Sequence, residues 1–418
     1  MSAVSPGESL GPQLVLAVTA RESARDRSLN PDRDLVAVLS SGAGTGPSVH
    51  SAVTAMPSLH LQRTDVVVGV DTHKDEHVAV ALDGIGGRLG SHAAPATPDG
   101  HAALLAWAHS HGRVVAFGVE GTGTYGLGLA RYLRRHGARI HEVSRPPRPG
   151  ARRLAGKSDL VDAEHAAREV LAGGATSVPK RADGAAETLR LIKVARDPAV
   201  KARTQAMNLL RAALVTSPDE LRAELRGLTP GRLIAACAEL PEAPPTDPTS
   251  ASAYALRSLA RRWLVLDGEV REHTGHLQRI LEESAPDLIA AYGVGPDSAA
   301  ELVIAAGDNA ERIRSESAFA KLCGVCPIPA SSGRTTGRHR LNRGGNRKAN
   351  AALHRVVIVR LKWHEPTRAY MARRTAEGRT KKDVIRCLKR YVARELFRLL
   401  PRHTERVAPA AEKVAVGA

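Results

Sequence analysis

The sequence predicts an α/β domain with a mixed sheet, then a helical region, then a basic and mostly helical C-terminal part. Three observations lead to this prediction. Short apolar runs follow one another after residue 65, helix and strand patterns alternate as far as residue 144, and apolar residues recur at helical spacing from about residue 158. A chain of 418 residues has room for two or three domains.

Changes in composition set the predicted domain limits. Residues 1–63 are rich in Ser, Pro, Gly and Ala and show no sustained periodicity, which indicates a disordered leader. Met56 is an alternative start to Met1. The predicted parts are the leader 1–63, an α/β domain 64–180, a helical or coiled-coil region 181–284, a C-terminal domain 285–405 and a disordered tail 406–418.

The elements of the α/β domain follow in order. The β-branched run VVVGVD (66–71) is typical of a buried strand, and the two strands after short turns are expected to be its antiparallel neighbours. Helix and strand then alternate, which favours parallel pairing and therefore a mixed sheet. Strands are predicted at 66–71, 77–83, 86–94, 113–120 and 138–144, and helices at 98–111 and 123–137.

Helical patterns dominate the rest of the chain. Ser158 is placed to cap a helix over 158–174. Long helices at 184–228 and 252–284 carry apolar stripes typical of a bundle core or a coiled-coil seam between chains. Further helical predictions are a helix-hairpin-helix-like segment at 289–307, which is either a phosphate-binding corner or an ordinary one, and basic helices at 346–374 and 378–400 anchored by Trp363 and Tyr370.

Positive charge is concentrated in the C-terminal fifth. Residues 330–406 hold 22 Lys and Arg against 5 Asp and Glu, while residues 1–329 hold 37 of each sign. This distribution predicts a polyanionic partner, most simply nucleic acid. Four cysteines form no disulfide framework in a chain of this size, and no apolar run approaches the roughly 20 residues of a membrane span. A cytoplasmic protein is therefore expected.

Four carboxylates are placed where a metal site would form. Asp71 and Glu120 end the first and fourth strands, and Asp159 and Asp162 lie three apart in the first turn of the helix at 158–174. Ligands usually bind at strand ends of open α/β sheets, and oxygen ligands suit Mg²⁺. Each acid alone is also explained as a turn former or a helix-dipole partner. Their joint placement favours a metal site.

The segment GVCPIPASSGRTTGRHRLNRGGNRK (324–348) combines Gly, Arg and two adjacent serines without a carboxylate. Ser331 or Ser332 could donate a hydrogen bond to a phosphate or attack one, so a gripping loop and a nucleophilic loop are both open, and His339 is a candidate base. The expected phosphate-binding side chains are Arg334, Arg338, Arg340, Arg343, Arg347 and Lys348.

Five motifs in order resemble the transposases of the insertion sequence 110 family. They are GVDTHKDEHVAVALD (69–83), VEGTGTY (119–125), KSDLVDAEHAA (157–167), LCGVCPIPASSG (322–333) and RGGNRKANAAL (343–353). The resemblance covers roughly residues 65–400, and only the long leader and a Pro-rich insertion at 240–250 depart from it.

The resemblance implies an RNase H-like, RuvC-like N-terminal domain in which Asp71, Glu120, Asp159 and Asp162 bind Mg²⁺, two ions per site. It also implies a serine nucleophile, and the family spacing from Pro327 selects Ser332 over Ser331. Implied partners are donor and target double-stranded DNA, a structured guide RNA encoded by the element, and further copies of the chain as a dimer or tetramer. A bacterial, nucleoid-associated location is implied as well.

Two other functions remain open on the residues alone. A RuvC-like junction resolvase or nuclease would use water, with Ser332 only contacting phosphate. A non-catalytic nucleic-acid-binding protein would need neither the acids nor the serine.

Overall fold

Five strands form the sheet of the N-terminal domain in this computed structural model, which describes residues 61–144, 158–330, 339–342 and 344–401. All of these lie in one unit, Thr54–Ala418. The strands are β1 (Asp65–Thr72), β2 (Glu76–Asp83), β3 (Arg88–Pro95), β4 (Arg113–Glu120) and β5 (Ile140–Val143).

The sheet is mixed and has the order β3-β2-β1-β4-β5. The pairs β1–β2 and β2–β3 are antiparallel, and β1–β4 and β4–β5 are parallel. β1 is the central strand, and all eight of its residues are buried, as its β-branched run predicts. Strand order and pairing fit an RNase H-like domain, so the predicted fold class is confirmed.

Helices cover both faces of the sheet and fill most of the rest of the chain. They are α1 (Pro98–Ser110), α2 (Leu127–Arg135), α3 (Asp159–Leu171), α4 (Ala185–Val215), α5 (Asp219–Leu225), α6 (Pro230–Ala238), α7 (Pro248–Ser284), α8 (Pro286–Ala290), α9 (Pro296–Ala306), α10 (Glu316–Leu322), α11 (Arg347–Trp363), α12 (Glu365–Ala376) and α13 (Lys381–Arg398), with a 3-10 turn at Ala310–Arg312 and a small ribbon of β6 (Pro327–Pro329) and β7 (His339–Leu341).

Two apolar cores hold the sheet between its helices. On one face Val68, Val70 and Phe117 pack with Leu104 of α1 and Leu129 of α2. On the other face the small residues of α3 pack against β1, β2 and β4; this core contains Val67, Leu82, Ala116, Ala163, Ala166, Ala167 and Val170. The alanines allow α3 to lie close to the sheet.

Helices α4 and α7 form a long antiparallel pair. The Arg196 Nε atom donates a hydrogen bond to the Thr274 hydroxyl at 2.9 Å, and Arg203 pairs with Asp267 further along. At the far end of the pair, α5 and α6 enclose a small core around Leu210, Leu225, Ile234, Cys237 and Leu256. With 37 residues, α7 is about 55 Å long.

Three helix predictions need correction. The helix expected to run to residue 228 ends at Val215, because Pro218 cannot continue it. Helix α6 was not predicted. The basic helix expected over 346–374 is two helices separated at His364, just before Pro366.

The expected anchors of the basic helices behave differently from each other. Tyr370 is buried, with 7% of its surface exposed, and confirms its predicted role. Trp363 is 65% exposed, so its predicted role as an anchor is wrong. It is the last residue of α11, where its ring lies 4.7 Å from the Lys362 ammonium instead of in the core.

A buried lysine joins α4 to α9. Lys193 is 4% exposed and pairs with Asp197 at 3.0 Å, with Glu301 at 3.1 Å and with Asp297. Burial alone would lower the pKa of Lys193, but hydrogen bonds to Asp297 and Asp197 outweigh it, and the pKa is raised. The ammonium is therefore charged and neutralises acids from two helices.

Replacing Lys193 with methionine is expected to lower the free energy of unfolding by about 3 kcal/mol, because it removes the nearest positive charge from the buried Glu301 carboxylate, which is then left with the Lys348 ammonium at 3.8 Å. Urea denaturation of the full chain measures the effect. Lys201→Met is the matched control, since Lys201 is exposed on the same helix and should change stability by less than about 0.5 kcal/mol. Equal stability of the two variants would contradict the assignment.

Candidate active site

Asp71 is the second-last residue of β1 and Glu120 is the last residue of β4, the parallel strand beside it. β1 and β4 pair with Val70 opposite Val119, and the next residue on each strand is one of these acids. Both acids are buried, with 4% and 7% of their surface exposed. The Thr72 hydroxyl donates a hydrogen bond of 2.9 Å to the Glu120 backbone carbonyl and ties the two strand ends together. The two acids therefore lie side by side at the carboxyl edge of the sheet.

Helix α3 lies directly on two glycines of the sheet. A Cβ atom on Gly69 would lie 1.9 Å from the Ala163 carbonyl oxygen, and a Cβ atom on Gly118 would lie 2.6 Å from the Ala166 carbonyl oxygen. Both distances are far below van der Waals contact, so any side chain there would push the helix away. Glycine at both positions allows the helix backbone to touch the strands.

This close approach aligns the first turn of α3 with the two strand ends. Asp71 and Glu120 each lie two residues beyond one of these glycines, and alternation along a strand directs them to the face that α3 covers. Asp159 and Asp162 each lie four residues before the alanine that touches a glycine. A step of two residues along a strand covers about 6.6 Å, and a step of four residues along a helix covers about 6 Å. The strand acids and the helix acids therefore lie at about the same distance from the glycine contacts. The four acids consequently come from three elements that meet at one edge.

Ser158 begins α3 at the predicted N-cap position. Its backbone is extended, with φ −143° and ψ 133°, and its carbonyl accepts hydrogen bonds from the amides of Val161 and Asp162. Its hydroxyl makes no capping hydrogen bond, so the side-chain cap predicted here is wrong. The Asp159 carboxylate in the first turn already complements the positive helix end.

His73 is a member of this cluster that the sequence alone did not single out. Its Nε2 atom lies 3.1 Å from an Asp71 carboxylate oxygen and 3.3 Å from an Asp159 carboxylate oxygen. The only signal available in the sequence was its position two residues after Asp71, within the motif at 69–83. The contact with Asp159 depends on how α3 packs, which a local pattern does not reveal.

The residues fit a divalent cation. One potential ligand atom from each of Asp71, His73 and Asp159 lies within 4.8 Å of the other two. Two of the four predicted acids, Asp71 and Asp159, thus belong to this group. The other two, Glu120 on β4 and Asp162 on α3, lie beside the group and not in it. Carboxylates this close repel each other, and a cation would offset the repulsion.

The predicted nucleophile lies outside the described residues, together with Ser331, Arg334, Arg338 and Arg343. In the sequence, Ser332 falls between β6 and β7, which pair antiparallel with Ile328 opposite Arg340. His339 and Arg340 are both exposed on β7. The described structure therefore includes the two strands that flank residues 331–338 in the sequence, together with two of the expected polar residues.

Glycine and asparagine residues connect the segment just before β6 to the segment just after β7. A Cβ atom on Gly345 would lie 2.2 Å from the Gly324 amide nitrogen, so the two backbones touch. Asn350 donates hydrogen bonds to the carbonyls of Cys323 at 2.8 Å and Gly324 at 3.3 Å, and Asn346 caps α11. Burial raises the pKa of the Cys323 thiol to about 12, which leaves this cysteine protonated at neutral pH.

Two family models match the chain in the regions that contain these features. A model for DEDD-type insertion sequence 110 transposases, described as "Transposase", matches residues 68–217, and one described as "Transposase IS116/IS110/IS902 family" matches residues 288–372. The chain belongs to the insertion sequence 110 family of transposases. No curated protein matches it.

Membership makes the chain a DNA transposase, an enzyme that binds DNA and recombines it. The DEDD-type domain indicates the use of a divalent metal, in agreement with the acidic group at the sheet edge. In the described part of the transposase, no helix is both long and apolar enough to cross a membrane.

The two basic residues at the start of α11 have different environments. Arg347 is exposed. The Lys348 ammonium lies 2.8 Å from an Asp197 carboxylate oxygen and 3.8 Å from one of Glu301. Lys348, predicted from the sequence to bind phosphate, thus links α11 to α4 and α9 within the transposase, although its side chain is 65% exposed.

A buried histidine pair lies beside the strand ends. His77 is paired with Thr72 across β1 and β2, and its ring stacks on His101 with centroids 5.5 Å apart. Burial, followed by the charge of His101, lowers the pKa of His77 from 6.5 to about 4. The transposase therefore keeps His77 neutral at physiological pH.

Acid is expected to destabilise the transposase through this histidine. Because the folded pKa is below the unfolded value, the unfolded chain takes up the proton first as the pH falls. The contribution of His77 to the free energy of unfolding is fully present above about pH 6.5. About 2 kcal/mol of the free energy of unfolding is lost by pH 5. Urea denaturation at pH 7 and pH 5 should show a smaller loss for His77→Gln. His109→Gln, exposed on α1, should match the unmodified protein. An unchanged loss in His77→Gln would refute this account.

Proposed function

We propose that this transposase is a site-specific DNA recombinase that cuts and rejoins strands with a metal-bound acid set and a serine. The observation that supports it most is the contact of α3 with Gly69 and Gly118, which brings Asp159 to Asp71. If the acids only stabilised turns and helix ends, helix α3 would not need two glycines in the sheet to lie this close to it.

In this proposal Asp71, Glu120, Asp159 and Asp162 hold two Mg²⁺ ions. Bound metal would stabilise negative charge on the reacting phosphate. The acids would position a phosphate through the cations they hold, and they are themselves held in place because they come from three elements of the sheet and helix. Asp71 and Glu120, both buried, are the less mobile half of the set.

Ser332 is the proposed nucleophile, on the strength of the family resemblance of residues 322–333. Its Oγ atom would form a bond to phosphorus, the bond from phosphorus to one bridging oxygen would break, and that oxygen would leave with a proton as a strand-end hydroxyl. Rejoining reverses the step with a hydroxyl of the incoming strand, so the phosphodiester energy is kept in the phosphoserine bond. The expected phosphate contacts are Arg334, Arg338, Arg340, Arg343 and Arg347.

The proposed partners are donor and target DNA, an element-encoded guide RNA and further copies of the chain, in the bacterial cytoplasm at the nucleoid. The excess of Lys and Arg over residues 330–406 supplies the charge that two nucleic acids require. The acids and the serine of one site could then belong to different copies of the chain.

Substitution of the serines tests the proposal. Ser332→Ala is expected to abolish strand cleavage and strand joining while DNA binding stays within about threefold, because only the nucleophile is lost. Ser331→Ala is the matched control and should retain both reactions. If Ser332→Ala still cut DNA in Mg²⁺ while Asp71→Asn did not, a nuclease that uses water would be the better description.

A further inference from the structure

We propose that His73 is a nitrogen ligand of the metal site, in addition to the carboxylates. This inference rests on the proposed function, because it assumes a metal between Asp71 and Asp159. It changes the ligand set of that metal from oxygen alone to oxygen and nitrogen, and with it the metal that the site prefers.

The geometry of the three side chains supports ligation. The Nε2 atom of His73 lies 3.1 Å from Asp71 and 3.3 Å from Asp159, and the potential ligand atoms of all three lie within 4.8 Å of one another. Ligands of one ion at about 2.1 Å from it are separated from each other by roughly 3 to 4 Å. A small contraction of the carboxylates around an ion would therefore leave the imidazole in place.

The backbone of His73 is held in position. Its amide donates a hydrogen bond of 3.1 Å to the Glu76 carbonyl, which closes the turn between β1 and β2. The hydroxyl of the preceding residue, Thr72, donates a hydrogen bond to the Glu120 backbone carbonyl of β4. The imidazole is thus carried by a tight turn anchored to two strands, which keeps the entropy cost of holding a ligand low.

The exposed fractions of the three side chains would also leave a bound metal open to solvent and substrate. The side chain of His73 is 42% exposed and that of Asp159 is 47% exposed, while that of Asp71 is 6% exposed. The site therefore has a buried carboxylate at its base, and the histidine and the second aspartate line its open side.

A nitrogen ligand makes a specific prediction about metal preference. Both ions favour oxygen ligands, but Mn²⁺, a transition-metal ion, coordinates imidazole more readily than Mg²⁺ does. Mn²⁺ is therefore expected to bind more tightly than Mg²⁺, and His73→Gln should weaken Mn²⁺ binding about tenfold and Mg²⁺ binding by less than about threefold. Calorimetric titration of the full chain with each metal gives these affinities.

Pulsed electron paramagnetic resonance of bound Mn²⁺ tests the ligand directly, without an activity assay. Hyperfine coupling to a directly bound ¹⁴N nucleus is expected in the unmodified protein, and it should be lost in His73→Gln and kept in His109→Gln, whose histidine lies on α1 away from the acids. Labelling histidine with ¹⁵N should change the coupling in the unmodified protein, so the result does not depend on a variant folding.

Each result has a distinct meaning. Bound Mn²⁺ without nitrogen coupling would overturn the role of His73 and leave the carboxylate metal site of the proposed function intact. If Mn²⁺ did not bind to the unmodified protein, or bound equally well to Asp71→Asn, both the histidine ligand and the proposed metal site would be overturned.

Discussion

Asp71→Asn is expected to lower the rate of DNA strand cleavage by at least about a thousandfold, equivalent to about 4 kcal/mol of transition-state stabilisation. The amide keeps the shape of the side chain but removes the charge that holds a cation at the buried base of the site. A cleavage assay on DNA that carries the element's ends, with the proposed guide RNA and saturating Mg²⁺, measures the effect.

The same substitution should not destabilise the fold. The Asp71 carboxylate lies close to that of Asp159, both within 3.3 Å of His73, so removing one charge relieves repulsion when no metal is bound. The melting temperature without metal is therefore expected to stay the same or rise, while the increase on adding Mg²⁺ should disappear.

Asp75→Asn is the matched control, because Asp75 is exposed in the same turn and lies outside the cluster. It should retain cleavage and the stabilisation by Mg²⁺. Cleavage by Asp71→Asn within about threefold of the unmodified rate would contradict the role assigned to the acids.

Gly69→Ala is expected to cost about 3 kcal/mol of stability and, in the folded fraction, at least about a hundredfold in cleavage. Its Cβ atom would lie 1.9 Å from the Ala163 carbonyl oxygen and 2.3 Å from the Ala167 amide nitrogen, both on the backbone of α3. The helix must move by about 1 Å or more to accept it, which carries Asp159 away from Asp71.

Urea denaturation and cleavage at low temperature separate the two effects. Gly268→Ala is the control, since nothing lies within 4 Å of its added Cβ atom on α7, and alanine should stabilise that helix by about 0.5 to 1 kcal/mol. Normal stability and normal cleavage in Gly69→Ala would show that α3 does not need its close position.

Local patterns predicted the sheet well. The strands stand out because β1 and β4 are nearly continuous apolar runs, and an acid interrupts β1 one residue before its end and β4 at its last residue. The positions of Asp71 and Glu120 at strand ends follow from that pattern. The i,i+3 spacing of Asp159 and Asp162 is likewise a local property of one helix.

Contacts between elements account for what the sequence did not reveal. The roles of Gly69 and Gly118 appear only when α3 lies on the sheet, and the same packing brings His73 to Asp159. Lys348 was predicted to bind phosphate because it lies in a basic segment. In the structure its partner is Asp197, which lies 151 residues earlier in the chain. A pattern of charge cannot identify a partner so distant in sequence.

Mass spectrometry of the transposase trapped on its DNA tests the central claim most directly. After a reaction on a nicked substrate and full denaturation, the tryptic peptide LCGVCPIPASSGR (322–334) contains both candidate serines. A nucleotide phosphodiester is expected on Ser332, absent from Ser331 and absent from the Asp71→Asn variant. Cut DNA together with an unmodified 322–334 peptide, or with the adduct on another residue, would contradict it.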